Sequence, residues 1–577
     1  MSSDGNTVGS SDTTQKAPHA CSSCRRQKKG CNKAFPSCGA CSRLRRPCAY
    51  DVGPSPTLPE EFESLARRLT NLEHEVSEYR AICEARIDGQ PAYTRQDSDA
   101  ATKEGYAFPA SSAFPSSFFL DINVFRRHRL KSPKPQLTVQ DNIFREIGGD
   151  VEIRAIVGAF FVSFSGWMAI VSKKQFYQEI STLPIEMAPD VTLLILCMKL
   201  VTDRPPADPE KSVRTNLFAV AKNFFLTVES SGFASMRLLQ AGILLCLYET
   251  GHAIYPQAYI SIGHVGRLGQ AIGLHDTDIP QLALEPRNWD QMEERRRVWW
   301  AVYILDRHMN IGNPSRSLAL AETGRKEYLP VDDKAWEQGD KVASEPLFVS
   351  SSTNITAAPY ARLCQASHLL SLVLTYVNDT VSSITMRLEE AKQLSRALLA
   401  LCSFLQTEIS NDATKICVPM AICYSALIIL YEHASSNGQS GYSPPAEHEL
   451  RDLGISGLHS LAPMITEYTI HMRTILPYNI DHSSPFVCNC LYRMAVWLSG
   501  VEDAPTKSNN SKAIKSMKDT LQQLSKRWRV ADEYLKILDD FELIYPATDE
   551  MALDVVQEVY NRSYMYPTGF VVASDAG

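Results

Sequence analysis

The hydrophobic positions of this chain follow helical spacing along most of its 577 residues. The most regular stretch is Phe62, Leu65, Leu69, Leu72, Val76, Tyr79 and Cys83, which step by 3, 4, 3, 4, 3 and 4 residues. That is an unbroken a/d heptad, and it predicts a helix over 59–85 with one apolar seam. Pro59 falls near its start, where a missing N–H does little harm. With Phe62 at a, Arg68 and Glu75 take g positions while Glu73 and Arg80 take e positions. In a parallel pair, Arg68 of one copy meets Glu73 of the other, and Glu75 meets Arg80. Exposed ion pairs are worth only ~0–1 kcal/mol each, but both of these attract. Phe62, Leu65, Leu69, Leu72, Val76 and Tyr79 are therefore candidate dimerisation residues of a short coiled coil in a homodimer. An amphipathic helix packed on its own chain is the other reading of the same pattern.

From Asn142 to Gly500 the apolar residues again recur at helical intervals, and strand-like alternation is scarce. This predicts a large all-α region over 141–500. Within it, Arg237–Gly251 and Tyr259–Leu274 read as an antiparallel helix pair joined near Tyr255-Pro256. Met292–Asn310 reads as one long helix, with Glu294–Arg297 and Asp306–Arg307 as structural ion pairs. Trp299-Trp300 reads as core with partial exposure. Gly263, Gly266, Gly269 and Gly273 step by 3, 3 and 4, which lays small residues along a helix side and permits close packing. That spacing is not a dinucleotide fingerprint. His275-Asp276 reads as a helix end. Val191–Val201 is among the longest apolar runs and contains Lys199. No run reaches the length of a membrane-spanning helix, so none is expected.

Over 501–577, Asn509–Leu543 reads as one long helix with Ile514, Met517, Leu521, Leu524 and Trp528 inward. Between Asp532 and Glu558 stand nine acidic residues against one basic residue, Lys536, interleaved with Tyr534, Leu535, Leu538, Phe541 and Ile544. That composition suits either an activation segment that folds on a coactivator or a helix packed on the main body.

Polar stretches separate these parts. Residues 1–20 are rich in Ser, Thr, Asp and Gly and read as disordered. Residues 49–58 carry Pro54 and Pro56 and read as a short, stiff linker. Residues 86–140 are rich in Ser, Pro and charge and read as a disordered linker. Inside it, Phe125-Arg126-Arg127-His128-Arg129-Leu130-Lys131 is a basic run, equally suited to nuclear import or to plain solvation.

The chemistry sits in front of the heptad. Cys21, Cys24, Cys31, Cys38, Cys41 and Cys48 repeat the unit Cys-x2-Cys-x6-Cys twice, with six residues between the copies. Zinc in structural sites is tetrahedral. Two such ions need eight bonds from six sulfurs, so two sulfurs must bridge, and the repeat makes equivalent positions the natural bridges. Cys21 and Cys38 are the chosen pair, with Cys24 and Cys31 completing one ion and Cys41 and Cys48 the other. A framework of three disulfides and a single zinc ribbon are the alternatives. The first lacks a preceding apolar leader, and the second strands two cysteines.

Charge adds a partner. The chain holds 58 basic and 65 acidic residues, for a net −7. Arg25, Arg26, Lys28, Lys29, Lys33, Arg43, Arg45 and Arg46 all lie between Cys21 and Cys48, with no Asp or Glu among them. Without these eight the chain stands at 50 against 65. Six thiolates on two zinc ions carry only two net negative charges, which offsets two of the eight. The remainder is placed for a polyanion, and phosphate contacts carry most nonspecific nucleic-acid affinity.

These cysteines, the run Cys24-Arg25-Arg26-Gln27-Lys28-Lys29-Gly30-Cys31 and Pro36 resemble the fungal binuclear zinc cluster transcription factors. The Phe160-Phe161 segment, the Gly263–Leu274 helix and Glu294-Arg295-Arg296-Arg297-Val298-Trp299-Trp300 resemble the middle regulatory region of the same family. The resemblance implies that a short helix follows the first cysteine of each half. It also implies that the end of the first helix enters the major groove, where Lys28 reads a CG-rich triplet. Lysine can donate to guanine O6 and N7, so the residue type fits. Arg25, Arg26 and Lys29 correspond to phosphate contacts, and Lys33 and Arg43 join them as candidate DNA-binding residues. Gln27 and Gly30 depart from the basic residues usual at those positions, and Gly312-Asn313-Pro314 departs from the usual Gly-Arg-Pro.

The fold class expected is mostly α: a small two-zinc, six-cysteine DNA-binding domain over 21–48, a short coiled coil and a large all-α regulatory domain. The function expected is a nuclear transcription factor for RNA polymerase II genes of one pathway, binding double-stranded DNA as a dimer with two Zn2+ as cofactor. Coactivator and small-molecule effector are further partners the layout leaves room for, while membrane association is not expected. No catalytic residue is expected, since Gly-x-Ser-x-Gly, phosphate-loop and His-Glu-x-x-His motifs are all missing. The rival reading is a ligand-binding helical receptor or adaptor with an accessory zinc module.

Overall fold

The computed structural model describes residues 16–17, 19–50, 116–128, 137–182, 187–206, 208, 211–275, 288–324, 327–338, 347–351, 355, 357–411, 418–436, 444–501 and 507–544. The heptad of 59–85, with all six dimerisation candidates, lies outside them, as do most of both linkers and the acidic segment beyond Ile544. The chain divides into two units, 1–106 and 107–577.

The second unit is built from helices, and among the described residues its only extended pairing is the isolated bridge between Tyr328 and Phe348. The apolar run of 191–201 forms the Pro189–Thr202 helix, whose residues from Asp190 to Met198 are all buried. It is sandwiched by the Asp150–Phe164, Asn216–Ser230 and Met236–Gly251 helices. A helix apolar on every side must be enclosed on every side.

A second bundle forms around Val418–Ser435, which packs against Pro359–Asn378, Ile384–Asn411, Pro445–Asn479 and Cys488–Ser499. This 18-residue helix is long and apolar enough to cross a membrane, contrary to the expectation from run length, yet 83% of it is buried inside the protein. It is a core helix. Gly454 shows how closely its neighbour approaches, since a Cβ there would stand 2.5 Å from the Tyr431 carbonyl oxygen and the Ser435 nitrogen.

The Trp289–Met309 helix touches both bundles, packing on Met236–Gly251 and Gln257–Ala271 and on Pro359–Asn378. Asn288 caps it by accepting from the Gln291 N–H. Trp300 is buried and Trp299 half-buried. The expected Glu294–Arg297 pair does not form. Arg297 Nε instead donates to Glu293 Oε1 at 2.9 Å, one full turn away, and Nη1 reaches Asp333 Oδ1 at 2.6 Å. Glu294 accepts from Arg237 at 2.9 Å and from Gln240 at 3.0 Å. Asp306 and Arg307 do pair, at 2.5 Å, and Asp306 also takes the N–H groups of Ala319 and Leu320. Each buried charge thus meets an opposite charge plus further donors or acceptors, the condition for keeping it inside.

The helix expected over 509–543 is two helices, Lys507–Ser525 and Val530–Ile544. Tertiary bonds break it. Trp528 Nε1 donates to the Ser483 carbonyl at 2.9 Å, and Arg527 and Arg529 donate to carbonyls of Asp203 and Asp208. Of the expected inward set, Met517, Leu521, Leu524 and Trp528 have no exposed surface, while Ile514 is only partly buried against the same core. Trp528 lies against Gly251, where a Cβ would come within 2.2 Å of its ring. The helix pair around Tyr255-Pro256 runs Met236–Gly251 and Gln257–Ala271. In the glycine stripe, Gly269 and Gly266 face Trp299 and Leu320 at 3.0 Å, but Gly263 faces open space and Gly273 adopts φ +78 beyond the helix. His275 is exposed beside Trp299. Within the stretch read as linker, short helices form at Ser117–Leu120 and Ile122–His128, the second taking up part of the basic run.

Candidate metal centre and nucleic-acid interface

In the first unit the sequence repeat becomes a structural repeat with an offset of 17 residues. Each half starts with a cysteine that caps a five-residue helix, Ser22–Arg26 or Gly39–Arg43. Cys21 Sγ accepts from the Cys24 N–H at 3.5 Å, and Cys38 Sγ from the Cys41 N–H at 3.4 Å. Thiolate sulfur takes the place of the usual oxygen cap. Both helices end alike, with the Lys29 N–H bonded to Cys24 O and the Arg46 N–H to Cys41 O. That closure needs a left-handed residue just before, usually glycine. Here it is Lys28, at φ 48, and its equivalent Arg45, at φ 46. Both basic side chains stand exposed at the helix ends.

The halves are tied by Arg46 donating to Gln27 Oε1 at 2.6 Å and by Ser22 and Ser23 donating to the carbonyls of Ala49 and Pro47. The inter-half loop is pinned by Tyr50, whose hydroxyl donates to Ala34 O at 2.9 Å and whose ring lies 4.8 Å from that of Phe35. The unit also begins earlier than Cys21. Ala17 is buried, and its N–H donates to Lys33 O at 2.8 Å.

The six sulfurs fall into two groups of four, Cys21, Cys24, Cys31, Cys38 and Cys21, Cys38, Cys41, Cys48, each with its ligand atoms within 4.8 Å of one another. The shared members are Cys21 and Cys38. A tetrahedral zinc with bonds of 2.3 Å requires sulfurs about 3.8 Å apart. Cys21 and Cys38 lie 3.7 Å apart, Cys24 and Cys38 3.7 Å, and Cys21 and Cys41 3.6 Å. All six cysteines are free thiols, so the sulfurs are gathered without disulfides. Backbone N–H donors at Cys21 and Cys38 draw the Cys31 and Cys48 thiols down to about 6 and about 7. Burial pushes Cys41 up to about 12. The residues therefore fit two tetrahedral ions that share two sulfurs.

Cys21, Cys24, Cys38 and Cys41, with Ala17, are the only buried apolar residues described in this unit. A metal-bound sulfur cluster is its core. Around it Arg25, Arg26, Lys28, Lys29, Arg43, Arg45 and Arg46 are exposed, while Lys33 is half-buried. All six candidate DNA-binding residues thus lie on the outside of one small cysteine knot. Arg45 and Arg46 were not among them, although the 17-residue offset maps them onto Lys28 and Lys29.

Comparison with known proteins agrees with this geometry. Residues 19–55 match the fungal Zn(2)-Cys(6) binuclear cluster domain, which binds two zinc ions through six cysteines. Residues 157–411 match the fungal specific transcription factor domain. Transcription factor BOA15 of Botryotinia fuckeliana is 41% identical over 138 residues, 24% of this chain and 76% of the relative. The azaphilone cluster-specific transcription factor azaR of Aspergillus niger is 25% identical over 350 residues, 59% of this chain and 67% of the relative. The citrinin biosynthesis transcriptional activator mrl3 of Monascus ruber is 30% identical over 119 residues, 20% of this chain and 23% of the relative. No solved structure matches. Family and relatives are transcription factors, which are not enzymes. With a doubled cysteine motif gathered into two overlapping groups of four sulfurs, and a match to the fungal specific transcription factor domain after it, the chain belongs to the fungal Zn(2)-Cys(6) transcription factors.

Proposed function

We propose that this chain is a sequence-specific regulator of RNA polymerase II genes that acts in the nucleus and binds CG-rich triplet half-sites as a homodimer. Its targets are the genes of one metabolic or secondary-metabolite pathway, the role printed in the names of the azaphilone and citrinin relatives. One observation carries the reading: an acid-free basic surface built on a sulfur cluster, with Lys28 at the exposed end of the first helix.

Zinc bound by the six cysteines supplies the bonds that fold a unit too small for an apolar core. Cys21 and Cys38 serve as the bridging ligands. The left-handed turn at Lys28 ends the helix and projects the ammonium beyond it, where guanine O6 and N7 can accept. Arg25, Arg26, Lys29, Lys33 and Arg43 grip phosphates, which sets register without reading sequence. The heptad from Phe62 to Tyr79 pairs two such heads, and the segment between cluster and heptad sets half-site spacing.

Selection of bound duplexes from a random pool by the full-length chain tests this. A consensus with two CG-rich triplets at one spacing is expected. Recovery of unrelated sequences at every salt concentration contradicts it. The rival, a ligand-binding receptor or adaptor with an accessory zinc module, is favoured by a cavity of about 450 Å3 in the helical unit. That rival predicts no consensus at all.

A further inference from the structure

The helical unit holds a cavity of about 450 Å3, a size typical of small-molecule sites. It lies where the Met236–Gly251 and Trp289–Met309 helices end and the Gln257–Ala271 and Val530–Ile544 helices begin, with Pro485 and Asn489 closing another side. Its chemistry is uneven. Arg316 is its only lining residue with a permanent charge, and no acidic residue lines it. Among the described residues Arg316 makes no ion pair. Its guanidinium stands 5.7 Å from the centre of the Tyr259 ring. Tyr255 and Tyr259 are 50% and 41% exposed, an unusual outlay of aromatic surface for the rim of a buried space.

A second observation is independent of the first. Three lining residues carry a buried polar atom without a partner: Thr250 Oγ1, His308 Nδ1 and Asn489 Oδ1. Thr250 and Asn489 are 4% and 2% exposed. Buried polar groups are usually paired, and three of the orphans among the described residues belong to the lining of this one cavity. These atoms are themselves covered, and a rotation of their own side chains is what brings them to a ligand. Burial holds the His308 imidazole well below its usual range, at about 3, so it is a neutral hydrogen-bonding group there.

We propose that this cavity binds a small aromatic acid, its anionic group at Arg316, its rings against Tyr255 and Tyr259, and its hydroxyl or carbonyl groups paired inside by Thr250, His308 and Asn489. The inference rests on the helical unit having a regulatory role, and the location supplies a route. Val530 and Tyr534 line the cavity from the first turns of the last described helix, at the root of the acidic segment. A ligand held there ties that helix to the end of the Trp289–Met309 helix.

The test is a titration of the full-length zinc-loaded chain with 6-hydroxy-2-naphthoate, followed by the fluorescence of the probe. Saturable binding is expected, with the uncharged 6-hydroxy-2-naphthamide and the Arg316→Gln variant each about tenfold weaker or worse. Gly312 lines the cavity and a Cβ there meets nothing within 4 Å, so Gly312→Phe starts its added bulk from open space. That variant is expected to lose binding while its helical circular dichroism and melting temperature stay unchanged. No saturable binding by the parent chain overturns the proposal, as does equal affinity for acid and amide or for all three proteins. Duplex selection needs no probe, so its outcome is read separately from this one.

Discussion

The two units solve the same problem, keeping a chain folded, with opposite materials. The helical unit encloses apolar helices such as Pro189–Thr202 and Val418–Ser435 and can also bury Arg297, Arg307 and Arg362. Among its described residues, the cysteine unit buries four cysteine sulfurs and one alanine. Its two described helices are five residues long, far below what stands alone in water. Without metal, the described part of the first unit keeps little apolar contact beyond Ala17 and the Phe35–Tyr50 ring pair. Among the described residues of the second, no comparable cluster of metal-ligating side chains stands together. The difference is one of scale: a short chain buries too small a fraction of its surface to offset the entropy of ordering it.

The largest effect should come from Cys38→Ser, which removes a sulfur common to both groups. Loss of zinc, of the first unit's fold and of all specific DNA binding is expected, with the helical circular dichroism of the second unit kept. Metal content and gel shift measure it, and retention of two zinc ions would break the contrast. Next is Arg297→Ala, which takes the one arginine from the largely buried Asp333 and leaves buried Glu293 with only Arg296 and the Val331 N–H. A loss of about 3–5 kcal/mol is expected in chemical denaturation of the helical unit, with duplex affinity unchanged. Gly454→Ala pushes a methyl into the Tyr431 and Ser435 backbone and should cost about 1–3 kcal/mol in the same measurement.

Two smaller changes sharpen the role of the repeated turn. Lys28→Ala should lose about 1–3 kcal/mol on the selected duplex and far less on random duplex. Equal loss on both sinks its role as a base reader. Arg45→Gly removes the side chain from the equivalent left-handed position, φ 46, and relief of that backbone should stabilise the zinc-bound unit by about 0.5–1 kcal/mol. Thermal melting of the holoprotein reads it.

Much of the candidate site was legible from spacing alone, because ligand count and tetrahedral geometry leave few ways to share six sulfurs between two ions. The 17-residue offset of the cysteine repeat also equates Arg45 and Arg46 with Lys28 and Lys29. What only the structure adds is that the turn after each helix closes in the same way, on a left-handed residue. In the helical unit, apolar periodicity located the inward face of the 507–525 helix but not its partners. Glu293 and Glu294 are neighbours in sequence with identical chemistry. Which of them meets Arg297 depends on the turn of the helix and on what stands opposite.

The sequence by itself pointed to the six cysteines as the metal-binding set, to the helical class of the main body and to the inward face of the helix that begins at Lys507, because these follow from local spacing. Only the tertiary structure decided where the last long helix breaks, which carboxylate pairs with which arginine, and that a cavity with one cation and three orphaned polar atoms opens among five segments. Those features join residues such as Thr250, Arg316, Asn489 and Tyr534. They are far apart along the chain, and nothing in local spacing records which of them will meet.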